Sequence, residues 1–171
     1  GLGVSYTSSI TNTYLTPGAT LTNVNDLLSI CVNMEHSFMG DLAISITCPN
    51  GQNLVLHQQN GGGTYLGSPY DLDPGTSPVL GECWEYCWSP TATNGTWVDN
   101  AAFGPTPSVI PAGLDVTSNS LVPGTYEAIG SFNSLLGCPL NGTWTFSITD
   151  LWEIDNGFLC DWSMAFAPIL Y

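Results

Sequence analysis

Asn141-Gly142-Thr143-Trp144-Thr145-Phe146-Ser147-Ile148-Thr149-Asp150, followed by Gly157-Phe158-Leu159-Cys160-Asp161-Trp162-Ser163-Met164-Ala165-Phe166, decides how this chain is read. Trp144, Phe146 and Ile148 alternate with Thr145, Ser147 and Thr149. Period two in aromatic and β-branched residues is the mark of a half-buried strand. Phe158, Cys160, Trp162, Met164 and Phe166 alternate in the same way with Leu159, Asp161, Ser163 and Ala165. Asp155-Asn156-Gly157 between them is turn chemistry, since Asn and Gly tolerate positive φ. The two segments read as a core hairpin that other strands must cover, which makes their tryptophans core rather than binding surface.

Outward from this ribbon the chain reads as short strands joined by turns. Leu27–Met34 is a strand with Ile30, Val32 and Met34 facing inward. Glu35–Asp41 is a turn containing His36 and Gly40, the latter expected there for its backbone conformation. Leu42–Cys48 and Asn53–His57 are strands around a Pro49-Asn50-Gly51 turn, so residues 27–57 read as an antiparallel meander. Residues 1–8 open a weakly alternating segment (Val4, Tyr6, Ser8, Ile10), either an edge strand or a strand lent to a neighbour. Residues 60–111 form a loop-rich insertion holding Gly61-Gly62-Gly63, Cys83-Trp84-Glu85-Tyr86-Cys87 and many prolines. Residues 167–171, Ala-Pro-Ile-Leu-Tyr, are an apolar tail. No amphipathic helix is legible. With 171 residues, 43% hydrophobic and 11% aromatic, residues 1–171 read as one all-β domain with a sizeable core.

The charge balance excludes whole classes of function. There is no Lys or Arg against 14 Asp plus Glu, a formal charge of −14. Without permanent cations, phosphate neutralisation on nucleic acid is excluded, as is attraction to anionic membranes. Any buried carboxylate needs backbone donors, a metal ion or a proton, because no Lys or Arg can pair with it. No apolar run reaches the ~18 residues that a membrane span needs.

Six cysteines, Cys31, Cys48, Cys83, Cys87, Cys138 and Cys160, read as three disulfides and an oxidising compartment. The spacing does not suit zinc, for there is no Cys-x-x-Cys and only His36 and His57 are available to assist. Strand parity turns Cys31 outward and Cys48 inward, which argues against pairing them across one hairpin. Cys83 and Cys87 flank three residues and are expected to close a local loop. A chain that starts at Gly1 without Met reads as a mature, exported form.

Three segments taken in order resemble a known family: Glu35-His36-Ser37-Phe38-Met39-Gly40-Asp41-Leu42 running into Cys48-Pro49-Asn50-Gly51, then residues 141–150, then residues 157–166. Together they resemble the P domain, or homo B domain, of the subtilisin-like proprotein convertases. The resemblance implies a jelly-roll β-sandwich of about eight antiparallel strands, here with long disulfide-tied loops. It implies no catalytic residues, and calcium in some relatives. The cysteines and the Cys/Trp-rich middle lie outside the family pattern, and no protease is attached within these residues.

His36, Ser37 and Asp41 suggest a catalytic set, but a nucleophile must sit within hydrogen-bond reach of its base, and a turn held by side-chain bonds is the simpler reading. Asp71, Asp73, Asp150, Glu153 and Asp155 are candidate calcium ligands, since calcium gathers six to eight oxygens from carboxylates, carbonyls and water. Paired acids of a glycosidase would need a separation of ~5–9 Å that no spacing here fixes. Asn94-Gly95-Thr96 and Asn141-Gly142-Thr143 are glycosylation acceptors. Trp84, Tyr86, Trp88 and Trp97 are expected to pack the long loop onto the sandwich, with sugar stacking as the alternative. These features lead to an expectation of a non-enzymatic extracellular structural or adhesive subunit, partnered by copies of itself and assembling into a filament. A secreted module binding glycans or surface proteins is the second expectation, and a secreted hydrolase the last.

Overall fold

The computed structural model describes residues 4–70, 79–101, 106–107, 119–152 and 155–171. The strands are β1 (Val4–Asn12), β2 (Leu27–His36), β3 (Leu42–Thr47), β4 (Asn53–His57), β5 (Trp84–Trp88), β6 (Thr106–Pro107), β7 (Asn119–Ser120), β8 (Gly124–Tyr126), β9 (Gly142–Asp150) and β10 (Gly157–Phe166). Two four-stranded sheets, ordered β1-β9-β3-β4 and β10-β2-β5-β8, form a β-sandwich, and β6 pairs with β7 apart from them. Neighbours in the two main sheets run antiparallel except β5 with β8, which is parallel.

Alternation decides which side of each strand is buried. Leu42, Ile44 and Ile46 of β3 and Trp144, Phe146 and Ile148 of β9 are buried from one sheet; Ile30, Val32 and Met34 of β2 with Trp162 and Phe166 of β10 are buried from the other. Stacked sheets lie about 10 Å apart, and aromatic rings span that gap. Phe146 stacks on Trp162 with centroids 5.3 Å apart, and Trp144 meets Phe166 edge-on at 6.0 Å. The two segments expected to form a hairpin therefore lie in different sheets and meet face to face. Each has a better ladder elsewhere: β9 lies between β1 and β3, and β10 pairs with β2.

The expected meander over residues 27–57 is corrected for the same reason. β3 and β4 do pair as a hairpin, but β2 pairs with β10 and β5. The Glu35–Asp41 turn thus carries the chain from one sheet to the other. Inward parity for Phe158 and Cys160 is also corrected. A register shift between Leu159 and Asp161 moves the core position to Leu159 and leaves Cys160 exposed.

All six cysteines are paired, as Cys31–Cys87, Cys48–Cys138 and Cys83–Cys160. Cys31 and Cys87 stand directly opposite each other on β2 and β5. The local Cys83–Cys87 loop is overturned because Trp84–Trp88 is extended. Four residues of strand span about 13 Å, beyond the ~7 Å Cα limit of a disulfide. The bulge that exposes Cys160 is what presents it to Cys83.

Of the four aromatic residues expected to pack the middle onto the sandwich, three are buried and Trp84 is half-buried against the core. Tyr86, Trp88 and Trp97 are buried, with Trp88 and Trp97 stacked at 4.7 Å and His57 5.2 Å from Trp97. Trp97 opens a one-turn helix, α1 (Trp97–Asn100), fixed by a capping box between Thr96 and Asp99. Residues 1–3 lie outside the described set; from Val4 the first segment is an edge strand on its own sheet.

Candidate functional site

Of the connections that cross between the sheets, β2 to β3 and β9 to β10 meet at the same end of the sandwich. They are stitched together there: the Ser37 amide donates to the Asn156 carbonyl at 3.1 Å, and the Leu151 amide to the Asp41 carbonyl at 3.0 Å. Gly157 starts β10 hard against β2, where a Cβ would lie 2.2 Å from the His36 ring and 2.7 Å from the Glu35 carbonyl. Gly40 has an ordinary φ; a Cβ on it would lie 2.7 Å from the Gly62 nitrogen. Close approach, rather than the conformational freedom expected from the sequence, is what requires glycine at position 40.

This meeting point gathers His36, Ser37, Asp41, Asp150 and Asp155. The Phe38 amide donates to His36 Nδ1 at 3.0 Å, so that nitrogen is an acceptor. The proton of the neutral ring is then on Nε2, which faces Asp150 Oδ2 at 3.4 Å. Asp150 Oδ1 accepts the Trp152 amide at 3.1 Å. Ser37 Oγ lies 3.4 Å from both Asp155 Oδ1 and the Asn156 carbonyl. Burial, a hydrogen bond with the Asp155 carboxyl, and the charges of Asp155 and Asp150 together raise Asp41 to about 6, with His36 pulling the other way.

The bonds of this set are those of a turn held by its side chains. Both His36 nitrogens are committed, one to a backbone amide and one to Asp150, and Ser37 bonds elsewhere. The arrangement lacks the nucleophile-to-base contact that covalent catalysis requires. Of the expected calcium ligands, Asp150 and Asp155 sit here, while Asp71, Asp73 and Glu153 lie outside the described residues. Among the described residues, the single group of three His, Cys or acidic side chains with ligand atoms within 4.8 Å of one another is Cys31, Glu85 and Cys87. Its two sulfurs are bonded to each other, so they are not thiolate ligands.

Beside these polar residues opens a cleft of about 520 Å³. Met34, Leu42 and Ile148 line it as buried residues, while Val4, Tyr6 and Trp152 line it as exposed ones, Trp152 being 57% exposed. Sequence reasoning missed this cleft, although a Trp among three acids in residues 150–155 was a visible signal.

The two glycosylation acceptors differ. Asn141 is bonded to Leu15 through both side-chain atoms. Asn94 is exposed, and its Nδ2 donates to the Thr125 carbonyl at 3.0 Å.

A model of the proprotein convertase P-domain matches residues 26–85. The P-domain resemblance stands. The matched stretch runs from the start of β2 into β5 and contains the crossing turn with His36, Gly40 and Asp41. No curated protein and no solved structure matches the chain. The P-domain is a non-catalytic accessory domain of the proprotein convertases.

Proposed function

We propose that this chain is a non-enzymatic extracellular structural subunit that joins copies of itself through the edge of β1. The observation that carries this reading is a contrast among the four sheet edges. The β4 edge is closed by backbone bonds from Ile129 and Gly130 to Leu56 and Val55. β8 is three residues long, and β10 has two register irregularities. β1 is nine residues long, Val-Ser-Tyr-Thr-Ser-Ser-Ile-Thr-Asn, with no charge and no proline. Charge, proline, bulges and shortness are the devices that keep edges from pairing, and β1 has none of them. An open edge accepts a strand from a neighbour, and a head-to-tail version of that contact builds a filament.

Three disulfides support an extracellular setting, and no helix among the described residues is long and apolar enough to cross a membrane. Sugar stacking on the Trp-rich middle is left with Trp84 alone, because Tyr86, Trp88 and Trp97 are buried while Trp84 is half-buried. A glycan at exposed Asn94 fits a surface protein. Calcium belongs to this reading through Asp71, Asp73, Asp150, Glu153 and Asp155, of which Asp150 and Asp155 lie together at the crossing end, and a calcium ion needs several convergent oxygens. Calorimetric titration with calcium is the check on that part, and absence of a saturable heat removes it.

Light scattering with negative-stain microscopy tests the assembly. The expected result is concentration-dependent growth of the native chain and a monomer for Thr7→Lys/Ser9→Lys, which charges the edge. A native chain that stays monomeric at high concentration, or a charged variant that assembles equally well, overturns the proposal.

A further inference from the structure

The cleft at the crossing end combines three properties. Its interior is apolar, from Met34, Leu42 and Ile148. Two aromatic side chains, Tyr6 at 54% and Trp152 at 57% exposure, border it. Asp150 and Asp155 also line it, and Asp41 lies behind them, joined to Asp155. His36 also lines it, with Nδ1 accepting the Phe38 amide and Nε2 facing Asp150.

We propose that this cleft binds a Lys or Arg side chain of a different protein, presented on a strand or loop with apolar neighbours. Charge complementarity selects the occupant. The carboxylates have no cationic partner in the chain, since none of the 171 residues is Lys or Arg. For the same reason these residues in a second copy cannot supply the cation. A guanidinium or ammonium needs one carboxylate in reach, whereas a calcium ion needs a shell of converging oxygens. Trp152 adds the face of an indole, the best aromatic surface for a cation. The Trp152 amide is bonded to Asp150, so ring and carboxylate are held two residues apart. Apolar neighbours of the cation would cover Leu42 and Ile148, the share of the cleft that a bare ion leaves wet.

The inference does not depend on assembly through β1, so the experiment uses both the native chain and the monomeric Thr7→Lys/Ser9→Lys form. The probe is the capped tripeptide acetyl-Leu-Arg-Leu-amide, titrated in low salt with a chelator and followed by amide chemical shifts. Its control is the same peptide with norleucine in place of Arg. Saturable shifts at residues 148–159 are expected with the Arg peptide, and at least ten-fold weaker binding with norleucine. Asp150→Asn is expected to weaken binding at least five-fold. Trp152→Leu, at an exposed position where folding is not at stake, is expected to weaken it several-fold. Equal binding of the two peptides, no saturation with either, unchanged affinity in Trp152→Leu, or displacement of the peptide by a neutral oligosaccharide each overturns the proposal. Failure of the tripeptide on the monomeric form leaves the β1 reading intact, and failure of assembly leaves this one intact.

Discussion

Asn141 and Leu15 hold each other by two hydrogen bonds. Asn141 Oδ1 accepts the Leu15 amide at 3.0 Å, and its Nδ2 donates to the Leu15 carbonyl at 2.8 Å. The pair ties the segment leaving β1 to the start of β9. Asn141→Ala removes both bonds and leaves two backbone groups without them, so a loss of about 2–3 kcal/mol in urea unfolding is expected. Asn94 and Asn141 each donate Nδ2 to a carbonyl, but Asn94 is exposed, whereas Asn141 is half-buried and held at both side-chain atoms. Expressed in a glycosylating host, the chain is expected to carry sugar at Asn94 and none at Asn141; peptide mass spectrometry reads the two sites separately.

Acid titration separates two buried groups with opposite signs. His57 Nε2 donates to the Met39 carbonyl at 3.1 Å, and Nδ1 has no partner among the described residues. Burial lowers this histidine to about 4 against an ordinary 6.5. Between those values only the unfolded chain takes up the proton, so His57 withdraws stability as pH falls, by roughly 3 kcal/mol in all. Asp41 is raised from 3.8 to about 6. There the folded chain takes up the proton first, so stability is gained as pH falls from about 6 towards 3.8. The native chain is expected to show partial cancellation. His57→Gln should become more stable on acidification from pH 6.5 to 4, and Asp41→Asn should lose stability more steeply than the native chain. A series of urea midpoints against pH checks both signs.

Gly40→Ala places a methyl group 2.7 Å from the Gly62 nitrogen and 3.0 Å from its carbonyl oxygen. Two backbones must move apart to admit it, at an expected cost of about 1–3 kcal/mol. Gly124→Ala is the control, since its Cβ would have no neighbour nearer than 3.8 Å; a change within about 0.5 kcal/mol is expected there. Equal effects at the two sites would show that helix and strand propensity, rather than contact, governs position 40.

Access orders the disulfides. Cys48 and Cys138 are buried, whereas Cys160 is exposed and Cys83 is half-buried. Thiol exchange requires approach of the attacking thiolate to sulfur, so limited reduction of the folded chain is expected to open Cys83–Cys160 first and Cys48–Cys138 last. Alkylation followed by peptide mapping gives the order. Replacing Cys48 and Cys138 by Ala opens a loop with a sequence separation of 90 and is expected to cost about 4–5 kcal/mol on the chain-entropy estimate.

How much of this was legible in the sequence follows from the range of the signals. Period two is local, so β2, β3, β4, β9 and β10 and the inward faces of Ile44, Val32 and Phe146 could be read from the chain. Partnership between strands is not local. Leu27–His36 is equally able to pair with Leu42–Thr47 or with Gly157–Phe166, and what decides is the way Phe146 and Trp162 fill the gap between sheets. That choice also determines the site, because the β2 to β3 and β9 to β10 crossings start where His36 meets Asp150, 114 residues apart in sequence. The outward turn of Cys160 was hidden for another reason: a single-residue bulge leaves the alternating pattern unbroken to the eye while reversing its meaning. The capping box of Thr96 and Asp99 was written in the sequence but overlapped the Asn94 glycosylation acceptor and was read only as that.

The pairing of β1 with β9 bears on mechanics. The two strands run antiparallel over nine matched positions, from Val4 opposite Asp150 to Asn12 opposite Gly142, with hydroxyl pairs such as Ser9 and Thr145 at 2.9 Å across the outer face. A neighbour that pulls on β1 along its own axis loads all these bonds together in shear, whereas a pull across the sheet opens them one at a time. Single-molecule pulling in the two directions distinguishes these cases, with the higher rupture force expected along the strand. A subunit joined through β1 would therefore carry tension along that strand, in the direction in which this edge of the sandwich resists most.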